Sequence, residues 1–170
     1  EQVFLGPGTR GEAGVHIQVP AWIWANCTLR SGCYVGDNVI ACNGCMLGNS
    51  SEFKNCILFD EAQAPHYNYV GDSILGHAAH LGAGAILSNV RLDKRLVTIA
   101  TADGPIHTGL KKFGAIVGDH SEIGCNSVLS PGSIIGRDSI MYPGSQWRGV
   151  LPSKSVAKLI QQFQVTPRHT

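Results

Sequence analysis

Charge is scarce in this chain: Lys, Arg, Asp and Glu make up 15% of its 170 residues and balance to a net charge of +1. A protein that neutralises a run of phosphates needs a basic face, so the composition argues against nucleic acid as a partner. No apolar run approaches the roughly 18 residues that a membrane span requires. Residues 1–14 lack the basic start and apolar core of a secretion signal. Paired CxxC motifs with zinc-ribbon spacing are also missing, since Cys42 to Cys45 is a single one. These absences point to a cytoplasmic protein whose partners are small molecules, with no membrane and no nucleic acid among them.

Glycine, in contrast, is plentiful. Its 21 copies are spread along the chain and not gathered into linkers, which implies a turn recurring at fixed intervals. Every sixth residue from Ile17 is apolar: Ile17, Ile23, Leu29, Val35, Ala41, Leu47, Phe53 and Phe59. Four positions after the first seven stand mostly small residues, Ala21, Cys27, Cys33, Val39, Cys45, Ser51 and Ile57. The two tracks return at Leu75, Leu81 and Leu87, and again from Val117 to Trp147, where Ser121, Ser127, Ser133, Ser139 and Ser145 fill the small positions.

A period of six is neither helical nor that of a strand, so it describes a short strand followed by a turn. Three such units close a triangular coil, aliphatic residue inward and small residue in the corner. Stacked coils then satisfy the backbone strand to strand. The expected fold is all-β, a parallel β-helix of hexapeptide repeats over residues 1–152 with about 18 residues per coil and roughly seven coils. Cys27, Cys33 and Cys45 lie on the corner track, where a thiol acts as a small buried hydrophobe. They are read as structural and reduced, with no metal assigned to them.

The pattern departs from itself twice. Phe59 to Leu75 spans two residues less than three hexads, and within that gap His66 stands beside Tyr67. Residues 90–113 carry charge, a Gly-Pro turn and no hexad, and are expected to form a loop extruded from the coil. Leu87 and Val117 remain a multiple of six apart, so the frame survives. An insertion on one face of a solenoid usually serves binding there. After Trp147, Pro152 and Ser153 are helix start signals, and Val156, Leu159, Ile160 and Phe163 share one helical face. The expectation is a C-terminal helix over 153–164 capping the last coil, followed by a tail at 165–170. Residues 5–14 superficially resemble a G-x-G-T-R phosphate loop, but Leu5 lies two hexads before Ile17 and reads as an irregular first coil.

The segment 53-FKNCILFDEAQAPHYNYVGDSILGHAAHLGAGAILSN-89 resembles the acetyltransferase half of the bifunctional N-acetylglucosamine-1-phosphate uridyltransferases, through K-N, P-H-x-x-Y-V-G-D and the Asn after G-A-G. The stretches 89-NVRLDKR-95 and 111-KKFGAIVGDHSEIGCNSVLSPGSIIG-136 are similar to long sugar-1-phosphate nucleotidyltransferases that carry a β-helix. This resemblance implies a left-handed helix and transfer of acetyl from acetyl-CoA, as cosubstrate, to the amino group of a hexosamine 1-phosphate. It assigns His66 as general base, a role that suits an imidazole titrating near neutral pH. Lys54 and Tyr69 match residues that hold the sugar phosphate, Asn89 matches one that orients the substrate, and His80 stands where the family has an Asn at the substrate. Ala83, Gly114, Ala115 and Ser130 correspond to coil edges along which acetyl-CoA lies, with Lys94 or Arg95 as the basic residue of the following loop. A homotrimer with active sites between subunits is implied, and no metal for acetyl transfer.

Gly36 stands where an arginine would grip the sugar phosphate, and Val90 replaces a tyrosine. These departures leave room for a second reading, a non-catalytic trimerisation or regulatory module of a sugar-1-phosphate nucleotidyltransferase. A zinc site of three histidines, as in γ-class carbonic anhydrases, needs a pair separated by four residues; His77 and His80 are separated by two. The nucleotidyltransferase half does not fit in the remaining residues, so the chain is expected to be a stand-alone acyltransferase or one domain of a longer protein.

Overall fold

The fold comes from a computed structural model, which describes residues 2–160, 162, 164 and 166–168. It is a parallel β-helix of three faces. The first face stacks Val3–Leu5, Ala21–Ile23, Val39–Ala41, Cys56–Leu58, Ile74–Leu75, Ala115–Val117, Ser133–Ile135 and Val150–Leu151. The second stacks Arg10–Gly11, Thr28–Leu29, Met46–Asn49, Gln63–His66, His80–Leu81, Glu122–Ile123, Ile140–Met141 and Val156–Ala157. The third stacks His16–Ile17, Tyr34–Val35, Glu52–Lys54, Tyr69–Gly71, Ile86–Leu87, Val128–Leu129 and Gln146–Trp147. With eight, eight and seven strands, the chain makes seven complete coils and two sides of an eighth.

The hexad rule explains the core. One residue per strand points inward, and from Ile23 through Leu29, Phe53, Leu81 and Leu129 to Met141 these side chains are at most 1% exposed. Each such burial contributes about 1.5–3 kcal/mol. The small residues fill the corners: Cys27, Cys33, Ala79, Ala85 and Ser121 through Ser139 are buried, and the serines bond to backbone carbonyls, as Ser121 Oγ does to Gly136 at 2.8 Å.

The inward column corrects the expectation at Phe59. That ring is 48% exposed, and Leu58 takes the inward place, with Cys56 and not Ile57 in the corner. The chain shortens by one residue at two corners, between Phe53 and Leu58 and between Val70 and Leu75, with Ala64 inward between them. Asn55 and Asp72 make these tight corners at φ of 47° and 48°, a left-handed conformation that Asn and Asp tolerate better than other side chains.

Residues 88–114 leave the coil after Ile86–Leu87 and rejoin it at Ala115–Val117, which pairs with Ile74–Leu75 as if nothing intervened. They carry an antiparallel hairpin, Thr98–Thr101 with Gly104–His107. Its first strand folds back against later coils: Val97 is fully buried, and the added Cβ of an alanine at Gly132 would lie 2.9 Å from the Thr98 carbonyl oxygen. The ends of the insertion are tied by a Val90 to Lys112 bridge and by the Phe113 N–H donating to the Asn89 carbonyl at 3.0 Å.

The expected helix at 153–164 is not what the described residues form. Ser153 and Lys154 make another coil corner, Lys154 at φ 58°, and Val156–Ala157 pairs with Ile140–Met141. The reason is a further shortening of the same corner: Leu151 follows Trp147 by four residues, after which Ser155 and Ala157 resume the two tracks. Residues 161 and 163 lie outside the described set.

The outward residues of the first face form one apolar ladder in register: Phe4, Trp22, Ile40, Ile57, Ile74, Ile116, Ile134 and Val150. Eight strands give it a length of about 34 Å. The second face carries Arg10, Thr28, Met46, Gln63, His80, Glu122, Ile140 and Val156 at the equivalent places, polar in the middle and apolar toward the end.

All six cysteines are free thiols. Burial pushes the Cys33 and Cys56 thiols up to about 12, whereas Cys125 is exposed. Since the thiolate is the reactive form, brief treatment of folded protein with iodoacetamide is expected to modify Cys125 and to leave Cys33 and Cys56 intact until denaturant is added, as read by peptide mass spectrometry.

Candidate active site

Every departure from six residues falls at one corner, where the third face turns into the first. Much of the polar chemistry is gathered there too. Tyr69 points outward from the third face and its ring lies over Gly71, where any Cβ would come within 2.5 Å of the phenol oxygen. The phenol accepts a hydrogen bond from Asn89 Nδ2 at 3.1 Å. The same amide donates to Asp72 Oδ2, and the other Asp72 oxygen accepts from Asn55 Nδ2 at 2.7 Å. Burial raises the Tyr69 pKa above its ordinary value, against the lowering that the Asn89 hydrogen bond supplies. The phenol therefore remains protonated near neutral pH.

Lys54 lies one coil back, paired with Gly71 across the sheet, and its Nζ is 3.7 Å from Asp37 Oδ1. Both side chains are about two-fifths exposed, so the pair is weak. Gly36 packs directly on this lysine: a Cβ there would sit 3.0 Å from the Phe53 carbonyl oxygen and 3.4 Å from Lys54 Cβ. A longer side chain at Gly36 would press on the corner, which accounts for its having none.

His66 stands at the other end of the strip, where the second face turns into the third. Its strand is held close to the coil below because Gly48 has no side chain; a Cβ there would meet the Pro65 carbonyl carbon at 1.9 Å. The His66 N–H donates to Asn68 Oδ1 at 3.0 Å, and the buried Asn68 amide donates on to the Gly82 carbonyl at 2.8 Å. This lets Tyr67 turn at φ 50° and leaves the His66 imidazole half-exposed with no hydrogen bond to any described residue. The structure thus joins Tyr69 and Asn89, brings Lys54 to the same corner, and sets His66 apart from them.

His80 lies on the second face, one coil above Gln63, and its Nδ1–H donates to Glu122 Oε2 at 2.7 Å. Ala83 is at the corner that follows, its carbonyl accepting the Asn126 N–H at 2.9 Å. Gly114, Ala115 and Ser130 are at the opposite corner, where Ser73 Oγ accepts the Ala115 N–H at 3.0 Å. The positions expected for acetyl-CoA are therefore divided between two corners of one chain. Lys94 and Arg95 are exposed on a turn organised by Asp93, which accepts two bonds from Arg91 and one from the Arg95 N–H. The Arg91 guanidinium holds the Asp93 carboxyl well below the usual range.

Sequence reasoning missed Asp72 and Glu122. Asp72 was visible as the last residue of Y-V-G-D, and its role as hub appears only when Asn55 and Asn89 stack on either side. Glu122 is separated from His80 by the whole insertion, so the register that faces them emerges only after residues 88–114 are set aside. Among the described residues no group of three His, Cys, Asp or Glu side chains could hold a metal ion, and no helix is long and apolar enough to cross a membrane.

The triangular parallel β-helix recurs in solved structures of other proteins. The chain shares it with a hexapeptide transferase family protein from Anaplasma phagocytophilum (TM-score 0.53, 17% identity, 92% of this chain and 80% of that one). It also shares it with PerB from Caulobacter crescentus, solved in complex with CoA and GDP-perosamine (TM-score 0.59, 17% identity, 87% and 52%). At these identities the likeness is one of fold.

Sequence carries the relation further. The chain is 36% identical over 108 residues to the bifunctional protein GlmU of Methanococcus maripaludis strain C5, covering 64% of this chain and 26% of that protein. It is 34% identical over 142 residues to the uncharacterized acetyltransferase YaiX of Escherichia coli O6:K15:H31, covering 84% and 62%. The chain thus spans about a quarter of the length of the first and three-fifths of the second. The resemblance read from residues 53–136 is with proteins of this same group. No protein-family profile matches the chain.

Replacing Asp72 with alanine removes the acceptor of two amides and is expected to lower stability by about 1–3 kcal/mol. Asp37→Ala, which breaks only an exposed pair, should change it by less than about 1 kcal/mol. Urea denaturation of both variants checks the contrast.

Proposed function

We propose that the chain transfers acetyl from acetyl-CoA to the amino group of an amino sugar that carries phosphate, with His66 as general base. The observation that carries this reading is the strip across the third face, with an unpartnered imidazole at one end and Lys54, Tyr69 and Asn89 at the other. The three-residue strand Tyr69–Gly71 crosses the face between His66 and the Asp72 corner, about 10 Å, a span suited to a sugar with an amine on one side and phosphate on the other. The relatives support it by their names, acetyltransferases and bifunctional sugar-phosphate proteins, and PerB supports it by its complex with CoA and an amino sugar nucleotide. A hexosamine 1-phosphate is the acceptor that the resemblance favours.

In the reaction His66 takes a proton from the acceptor ammonium so that its nitrogen can attack the thioester carbonyl. Lys54 meets the phosphate, and Asn89, steadied by Asp72, orients the ring. A second reading, a module without catalysis, is favoured by one observation: Asn89 is already engaged by Asp72 and Tyr69, Lys54 already faces Asp37, and Gly36 offers no cation.

Turnover of acetyl-CoA with glucosamine 1-phosphate and galactosamine 1-phosphate separates the two. Acetylation of either amine, reduced about 10²–10⁴-fold in His66→Ala, is the expected result. Absence of both turnover and acetyl-CoA binding by the unaltered protein would leave the module reading in its place.

The first-face ladder supports assembly, because contiguous apolar surface of this extent marks an interface. We take the assembly to be a homotrimer with each strip facing a neighbouring copy. Ile57→Glu places a charge at the middle of the ladder, and light scattering should then report one chain where the unaltered protein reports three.

A further inference from the structure

Acyl transfer from a thioester needs two proton movements. One proton leaves the attacking amine, and one is wanted by the departing sulfur. His66 answers the first and nothing described so far answers the second. The second face holds a histidine better supported than His66, in a place that neither the resemblance nor the relatives assign to proton transfer.

His80 and Glu122 occupy the same register on neighbouring coils, and the 2.7 Å bond between Nδ1 and the carboxylate fixes the ring. With Nδ1 committed, Nε2 is the atom left for chemistry. The carboxylate can keep its bond to Nδ1–H whether Nε2 is bare or protonated, so the ring need not move as a proton passes through it. The pair is about one-third and one-half exposed, accessible to a ligand without loss of coil packing.

Beside it lies a groove of about 360 Å³, lined by Ile123, Ile140, Tyr142 and Pro143 and by two glycines. Gly82 and Gly124 are there because a Cβ on either would strike the next coil, at 2.6 Å from the Cys125 nitrogen and 2.3 Å from the Pro143 nitrogen. The wall is apolar, with the exposed Cys125 as part of it. It suits the uncharged arm of a thioester, with the sulfur near the imidazole. Gln63, which pairs with His80, shares its strand with His66, so the two histidines lie on adjacent coils of one face.

We propose that His80, oriented by Glu122, is the general acid of the acyl transfer and protonates the departing CoA thiolate. The inference rests on the acetyl-transfer reading above. The amine nitrogen forms the new C–N bond and yields its proton to His66, the C–S bond breaks, and the Nε2 proton of His80 passes to sulfur to give CoA–SH. His66 passes the proton it first took from the ammonium to solvent before the attack, and solvent carries the second from His66 back to His80, so the reaction releases one proton, that of the ammonium.

The test compares acetyl-CoA with the selenoester of the same coenzyme, whose selenolate departs at neutral pH without needing a proton. His80→Gln and Glu122→Gln are assayed with both donors beside His66→Ala, and circular dichroism confirms that each variant is folded. With acetyl-CoA, His80→Gln is expected to lose about 10²–10⁴-fold in kcat, and Glu122→Gln a smaller factor. With the selenoester the His80→Gln defect should shrink at least tenfold, whereas the His66→Ala defect should persist. A His80→Gln enzyme within threefold of the unaltered one with acetyl-CoA, or equally impaired with both donors, overturns the assignment while acetyl transfer itself stands. An unaltered protein that acetylates no amine with either donor overturns both.

Discussion

The structure depends on the parallel pairing of each strand with the strand one coil away. That pairing satisfies the backbone, and it also fixes what every side chain can meet. A residue touches its counterparts on the coils above and below, and a column extends the whole length of the helix. The interior column is aliphatic, so the coil collapses around it. The corner column must be small, so cysteine, alanine and serine alternate there with little regard to polarity. Serine is tolerated in the dry corner because its hydroxyl finds a carbonyl of a neighbouring coil, as Ser139 Oγ finds that of Pro152 at 2.9 Å.

Such a stack has no interior place for chemistry. Function must come from the outward positions and the corners, and the three corners are not equivalent here. Shortening by one or two residues and the insertion of residues 88–114 all occur where the third face turns into the first. Asn55 and Asp72 owe their positions to the shortened turns, Asn89 owes its own to the base of the insertion, and Lys54 stands one coil below. The polar cluster is thus a product of irregularity confined to one edge, while the other two edges preserve the spacing that holds the core.

Much of this was legible in the residues. The unbroken tracks from Ile17 to Phe53 and from Val117 to Trp147 specify the coils outright, because aliphatic and small residues alternate with a period that no helix or strand shares. Reading failed where the period slipped. Phe59 fits the count of six and Leu58 does not, yet a single missing residue makes Leu58 the inward one. Leu151, Ser155 and Ala157 resume the tracks after a four-residue step, and Pro152, Ser153 and the apolar spacing of Val156, Leu159 and Ile160 fit a helix equally well on paper. The pairing with Ile140–Met141 decides between them, and pairing is a property of the stack. The resemblance supplied Lys54, Tyr69 and Asn89, of which Tyr69 and Asn89 touch and Lys54 lies one coil below. It could not supply Asp72 as their hub or the facing of His80 and Glu122, since both arise from register across coils.

The insertion at residues 88–114 has a consequence for how such a protein changes over time. Ala115–Val117 pairs with Ile74–Leu75 as though the chain had never left, so the corner works as a splice point where sequence can be gained or lost while every other register is preserved. Variation there is quarantined from the core. A lineage could exchange the segment wholesale, and with it the contacts made beside Tyr69 and Asn89, without having to rediscover how to fold.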